Sequence, residues 1–240
     1  MMAKDWRQAQ KPLIIGHRGA SAEAPENTLA AFALALDQEA DGIELDVRLS
    51  ADGHVVVIHD RTVDRTTNAR GKVSQLSLAA LKSLNAGAGQ AIPTLDELFA
   101  TFGPHLLYNV EIKGHALGNQ ELEIAVADRI AAYHLENQVL VSSFSPLSVH
   151  RSRRHLTRNT LVGHIRFAGW QQLYLHLVPA AADHPHYHLV NENYMAWALK
   201  RNRRVHVWTV DDPTDAQRLA RMGVHGIITN RPGLIRDCLT

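Results

Sequence analysis

Apolar and polar positions along this chain alternate between two periods. Leu13, Ile14 and Ile15 form a short apolar run that ends in Gly16 and His17, which predicts a buried strand. A polar loop over 18–27 follows. Leu29, Phe32, Ala33 and Leu36 then recur at helical spacing up to Gln38, with Asn27 or Thr28 placed to cap that helix. From Asp41 to Val47 the period changes to two. Ile43, Leu45 and Val47 take one face of a strand, and Glu44 and Asp46 share the other. A turn at Ser50-Ala51-Asp52-Gly53 and a second run, His54 to His59, predict a hairpin with this strand.

Residues 60–93 break the rhythm with a polar stretch, a short helix near Leu78 to Leu84 and a loop from Gly87 to Pro93; they read as an insertion. Thr94 to Phe102 reads as a helix opened by a capping box, Thr94 with Glu97. Regular alternation then resumes. Strands are predicted at Leu106 to Lys113, Val139 to Ser142, Thr160 to His164, His188 to Val190, Val205 to Val210 and Gly226 to Thr229. Helices are predicted between them, including Trp170 to Leu177 as a helix packed on the wall. Leaving the hairpin strand aside, this gives eight strands alternating with helices. In one domain over residues 1–240, that pattern predicts an α/β fold of the closed (β/α)8, or TIM-barrel, type. An open doubly wound sheet would carry a glycine-rich phosphate turn after its first strand, and Gly16-His17-Arg18-Gly19 is not one.

Catalytic groups of such a barrel sit at the C-terminal ends of its strands. Those ends carry His17 and Arg18 on the first strand, Glu44 and Asp46 on the second, and Glu111 and Lys113 on the third. His59 closes the hairpin strand, and Trp208 lies on a late strand. Taken alone, Glu44 and Asp46 fit either a hard-cation site or a solvated acidic face. Together with Glu111 they suit Mg²⁺ or Ca²⁺ better than zinc. Two histidines can serve as acid and base near neutrality, while an arginine and a lysine hold phosphate. That set is what in-line cleavage of a phosphodiester requires.

The ordered motifs extend the picture. His17-Arg18-Gly19-Ala20, Pro25-Glu26-Asn27-Thr28, Glu44-Leu45-Asp46-Val47, Val57-Ile58-His59-Asp60, Asp64-Arg65-Thr66-Thr67-Asn68, Ile92-Pro93-Thr94-Leu95 and Glu111-Ile112-Lys113 occur in that order. In these the chain closely resembles the glycerophosphodiester phosphodiesterase family, with weaker matches at Val207-Trp208-Thr209-Val210 and Gly226-Ile227-Ile228-Thr229. The resemblance implies a barrel whose small insertion follows strand two, here residues 47 to about 93. It also implies hydrolysis of a small glycerophosphodiester to sn-glycerol 3-phosphate and an alcohol. By position, His17 and His59 become the acid–base pair. Glu44, Asp46 and Glu111 become the divalent-metal ligands, Arg18 and Lys113 the phosphate contacts, and Trp208 the glycerol-side wall. A lysophospholipid substrate, or a barrel that binds phosphodiesters without cleaving them, are the alternatives. Asn230 departs from the resemblance, standing where many relatives have Asp, and is expected only to cap the final helix.

Composition narrows the partners. Among 240 residues, 25 Lys and Arg balance 24 Asp and Glu, for a formal charge of +1, so nucleic acid is not expected. The single Cys238 leaves no internal disulfide, which fits a reducing compartment. Residues 1–12 do not read as a secretory signal, and no apolar run nears the roughly 20 residues of a membrane span. A cytoplasmic protein without stable membrane association is expected. The 15 histidines are irregularly spaced and read as scattered surface or core residues.

Overall fold

The structure, a computed structural model, describes residues 5–7, 12–114 and 119–240. Its strands are β1 Leu13–His17, β2 Gly42–Leu49, β3 Val55–Val57, β4 Leu107–Ile112, β5 Val139–Ser143, β6 Leu161–Arg166, β7 Ala182–Pro185, β8 Arg204–Val207 and β9 Gly226–Thr229. All except β3 run parallel, and β1 pairs with both β2 and β9, which closes the sheet into an eight-stranded barrel. β3 pairs antiparallel with the end of β2 through Val47 opposite Val57, as a hairpin requires. The helices are α1 Leu29–Asp37, α2 Leu78–Lys82, α3 Leu95–Phe102, α4 Glu121–Ala132, α5 Pro146–His155, α6 Tyr174–Leu177, α7 Glu192–Leu199, α8 Pro213–Arg221 and α9 Pro232–Leu239.

Strand alternation sorts the side chains into two layers. Ile43, Leu45, Val47, Tyr108, Val110 and Ile112 point outward and pack with Phe32, Leu98, Phe99, Val126 and Ile130 of the helices. Leu13, Ile15, Leu107, Leu140, Leu161, Ala182 and Ile228 fill the barrel floor with Trp6, whose indole N–H donates to the Gln138 carbonyl at 2.8 Å. Gly42 faces inward beside Leu107, and a Cβ there would lie 2.5 Å from the Leu107 carbonyl oxygen. The strand pair can therefore close only on glycine. The segment between β2 and α3 has its own small core of Val56, Ile58, Val63, Val73, Leu81, Ala86 and Ile92.

Local signals hold where the residues carry them. Thr28 accepts the Ala31 amide to start α1, and Thr94 with Glu97 forms the capping box of α3. One strand departs from the sequence expectation: the sixth barrel strand, β7, is Ala182–Pro185, and Tyr187–Leu189 is a 3₁₀ turn. Ala-Asp-His-Pro does not read as a buried strand because its polar groups are satisfied only by distant partners. Asp183 accepts from Arg166 Nε at 2.8 Å and from the Tyr194 hydroxyl, and His184 bonds Asn109 and His206. The Trp170–Leu177 segment is a 3₁₀ turn leading into α6, and it buries Leu175 against the wall while Trp170, Leu173 and Leu177 stand exposed. Among the described residues no helix is long and apolar enough to cross a membrane.

Candidate active site

The two-residue repeat places Glu44 and Asp46 on β2, and Asn109 and Glu111 on β4, inside the barrel near its C-terminal rim, with Lys113 directly following. The register sets Asp46 beside Glu111. One carboxylate oxygen from each of Glu44, Asp46 and Glu111 lies within 4.8 Å of the others, and all three side chains are buried. A cavity of about 140 Å³ opens on them, lined by His17, Arg18, Glu44, His59, Glu111, Lys113 and Trp208. All eight sequence-predicted site residues thus meet at one barrel end, with Asp46 just behind the cavity wall between Arg18 and Lys113.

Electrostatics at this cluster are unbalanced. Burial, then the neighbouring Asp46 and Glu111, pushes the Glu44 carboxyl well above the usual carboxylate range. Burial and Asp46 raise Glu111 to about 7. Asp46 goes the other way: burial pushes it up, but Lys113 and Arg18 together hold it well down. Two carboxyls forced toward their neutral form, within a few ångströms of a third that is ionised, form a donor set that a hard divalent cation would relieve. The residues therefore fit such a cation.

Both imidazoles commit one nitrogen. His17 Nδ1 lies 2.7 Å from Asn230 Oδ1, and His59 Nδ1 lies 2.6 Å from Asp60 Oδ1. Burial, together with Arg18, lowers the pKa of His17. Burial lowers that of His59 against the upward pull of Asp46. Each therefore presents Nε2 as the free nitrogen, with His17 Nε2 3.9 Å from Glu44 Oε2. Asp60, held at about 2 chiefly by its hydrogen bond from Arg65, continues through Arg65 to Glu26 and Arg18.

The sequence profile of the Glycerophosphoryl diester phosphodiesterase family matches residues 17–234. The chain belongs to this family. A glycerophosphodiester phosphodiesterase of Caldanaerobacter subterraneus subsp. tengcongensis is 39% identical over 233 residues, covering 92% of this chain and 95% of that one. Another, from Bacillus subtilis, is 32% identical over 92% of this chain and 84% of its own. Among solved structures, an Oleispira antarctica phosphodiesterase in complex with the product sn-glycerol-3-phosphate superposes with a TM-score of 0.86 at 29% identity, covering 95% of this chain and 97% of that one.

Within this glycerophosphodiester phosphodiesterase framework, several residues at the site escape a reading of the sequence. Asn27, buried and with a positive φ of 57°, does not cap α1; its amide donates to Asp46 Oδ2 at 2.9 Å and its carbonyl accepts the Asp46 amide at 3.3 Å. Asn230 does not cap the last helix either, since Arg231 occupies that position. Asn109 and His184 form a polar floor, joined at 3.3 Å. Trp208 is tethered through its indole N–H to the His184 carbonyl at 2.7 Å, and its ring meets Phe144 edge-on with centroids 5.6 Å apart. Phe167 follows at 6.2 Å. The sequence marks Asn27 only as a candidate cap within a resembling motif and Asn230 only as a departure from the resemblance, and neither signal assigns a partner.

Proposed function

We propose that this glycerophosphodiester phosphodiesterase hydrolyses small glycerophosphodiesters to sn-glycerol 3-phosphate and an alcohol. Glu44, Asp46 and Glu111 would hold the divalent cation, Mg²⁺ or Ca²⁺. The observation that carries this reading is the meeting of two imidazoles, three buried carboxylates and two cationic side chains around one cavity. The product bound to the Oleispira antarctica phosphodiesterase supports the choice of product.

The chain's own groups divide the work. Arg18 and Lys113 balance the phosphate charge, Arg18 with a planar fork and Lys113 as a point charge. His17 and His59, both with pKa lowered by burial, have a free Nε2 for proton transfer. One takes the proton of the attacking oxygen, of water or of the glycerol 2-hydroxyl, as it bonds to phosphorus, and the other delivers a proton to the alcohol oxygen whose bond to phosphorus breaks. Where the 2-hydroxyl attacks, water then opens the cyclic phosphate to give sn-glycerol 3-phosphate. Trp208 and Phe144 present an apolar wall against which the glycerol carbons pack. A divalent cation held by Glu44, Asp46 and Glu111 would supply further charge neutralisation at the phosphoryl group and lower the pKa of the attacking oxygen.

Product analysis tests the bond that breaks. Glycerophosphocholine should yield choline and glycerol 3-phosphate; phosphocholine and glycerol would contradict the reading.

A second substrate reading is favoured by one observation. Following Phe167 in the chain, Trp170, Leu173 and Leu177 also leave an apolar strip exposed. Such a strip could receive an acyl chain, which would make a lysophospholipid the substrate. Faster cleavage of lysophosphatidylcholine than of glycerophosphocholine would favour that reading, and the reverse order favours the one given above.

A further inference from the structure

The partners of His17 Nδ1 form a chain that the reaction above does not use. β1 and β9 are neighbours in the barrel, so the residue after β9, Asn230, comes to the side of His17. Its Oδ1 lies 2.7 Å from His17 Nδ1. Its Nδ2 donates to Asp211 Oδ2 at 2.6 Å, and its backbone amide donates to Asp211 Oδ1 at 2.7 Å. The Thr229 hydroxyl accepts the Arg231 amide at 3.0 Å and so directs its own proton to Asp211 Oδ1 at 2.9 Å. The carboxylate is thus committed to three donors from residues 229–230. It is not needed as a helix cap, because the neighbouring Asp212 caps α8.

An ionised carboxylate only accepts hydrogen bonds, so it dictates which end of the Asn230 amide faces it. The NH₂ group must point at Asp211, and the carbonyl oxygen must point at His17. The Ser21 hydroxyl lies 2.8 Å from Oδ1 and 2.7 Å from the His17 carbonyl, and its single proton can serve either, so the orientation rests on Asp211. Facing a carbonyl oxygen, His17 Nδ1 can only donate, and an imidazole's tautomer is set by the bond its other nitrogen makes. We propose that Asp211 and Asn230 are positioning residues that lock neutral His17 with its proton on Nδ1, leaving the Nε2 lone pair aimed into the cavity. This inference rests on the reading of His17 as a proton-transfer residue. It goes beyond that reading in assigning a purpose to two residues that neither line the cavity nor touch the three carboxylates. His59 lacks such a device. Its Nδ1 partner is the carboxylate of the next residue, Asp60, which needs no orienting group.

The test is nitrogen NMR of the imidazoles in ¹⁵N-histidine-labelled, Mg²⁺-saturated protein, with the His17 signals identified by their loss in His17→Gln. Wild type should show a protonated Nδ1 and an unprotonated Nε2. Asn230→Ala should redistribute the proton between the two nitrogens and lower kcat by about 10- to 100-fold with little change in KM, the usual cost of removing such an orienting partner. Asp211→Ala, which frees the amide to turn over, should do the same. The exchanged double variant Asn230→Asp/Asp211→Asn keeps an acceptor at Nδ1 and an amide–carboxylate pair behind it, so it should keep the wild-type tautomer and recover most of the kcat lost in Asn230→Ala. A wild-type His17 protonated on Nε2 would overturn the proposal without recourse to any variant. So would an Asn230→Ala enzyme that keeps both tautomer and kcat. Full activity of His17→Gln would instead sink the role of His17 while leaving the tautomer measurement to judge the lock.

Discussion

Lys113 Nζ lies 3.0 Å from Asp46 Oδ1. Asp46 is 1% exposed, and its other oxygen faces Arg18 Nε at 3.2 Å. Lys113 also bonds Glu111, so a single ammonium joins two of the three clustered carboxylates. The pair explains how the strands can bring three acids together before any ion binds. Each buried charge would be costly alone, and the two cations offset part of that cost.

Removing that ammonium should therefore expose the imbalance. Lys113→Met is expected to lower the stability of chelator-treated protein by on the order of 3 kcal/mol. Saturating Mg²⁺ or Ca²⁺ should recover more stability in the variant than in wild type. Urea denaturation with and without the cation measures both. Equal metal-free stabilities would show that Lys113 is not the counterion described.

Cation affinity should depend on pH in the neutral range. Glu111 is raised to about 7 by burial and Asp46, so it must lose a proton to become a ligand. Affinity is then expected to fall as pH drops below 7, by up to about tenfold per unit for one displaced proton. Calorimetric titrations at pH 8 and pH 6, in buffers of different ionisation heat, report the constant and the released proton. Affinity that does not change between these values, with no proton release, would contradict the arrangement.

The barrel interior carries a separate acid sensitivity. His184 is lowered to about 3 by burial and then His164, and its neighbour His206 is lowered well below the usual histidine value by burial and His184. An unfolded histidine takes up its proton near pH 6.5, whereas these stay neutral in the fold. The unfolded chain thus binds more protons below pH 6.5, down to about 3 for His184, so stability is full above pH 6.5 and is lost as pH falls below it. The expected loss is about 1.4 kcal/mol per pH unit for each such histidine. In His206→Phe the slope of stability against pH should be shallower by about that amount. An unchanged slope would rule the histidine out as its source.

The His59 side of the cavity makes a kinetic prediction. Asp60 fixes the His59 ring, and Arg65 fixes Asp60 at 2.6 Å. Asp60→Ala should lower kcat by about 10- to 100-fold and leave KM within a few-fold, as for other partners that orient a working histidine. Steady-state kinetics on glycerophosphocholine decide it. A variant that loses only affinity would place Asp60 in substrate binding instead.

The barrel and the site were legible where chemistry coincides with a short-range rule. Glu44 with Asp46, and Glu111 with Lys113, share a face because strands repeat every two residues, and the barrel carries that spacing to one rim. What the sequence hides is what only closure brings together. His17 and Asn230 stand 213 positions apart and meet because β1 returns to β9. Asn27 looked like a cap, yet its left-handed backbone turns it onto Asp46, and Thr28 takes the capping place. The sixth barrel strand, β7, eluded the pattern for a related reason. Asp183 and His184 look solvated until Arg166, Tyr194, Asn109 and His206 fold around them.

The central claim is cation-assisted phosphodiester hydrolysis with proton transfer by two histidines. It is tested most directly by glycerol 3-phosphate release from glycerophosphocholine, with Mg²⁺, with Ca²⁺ and with EDTA, in wild type, His17→Ala and His59→Ala. The account predicts release by wild type that EDTA abolishes and one of the two cations restores, and a loss of about 10²-fold or more in each histidine variant. Release that persists in EDTA, or that survives in either variant at the wild-type rate, would contradict it.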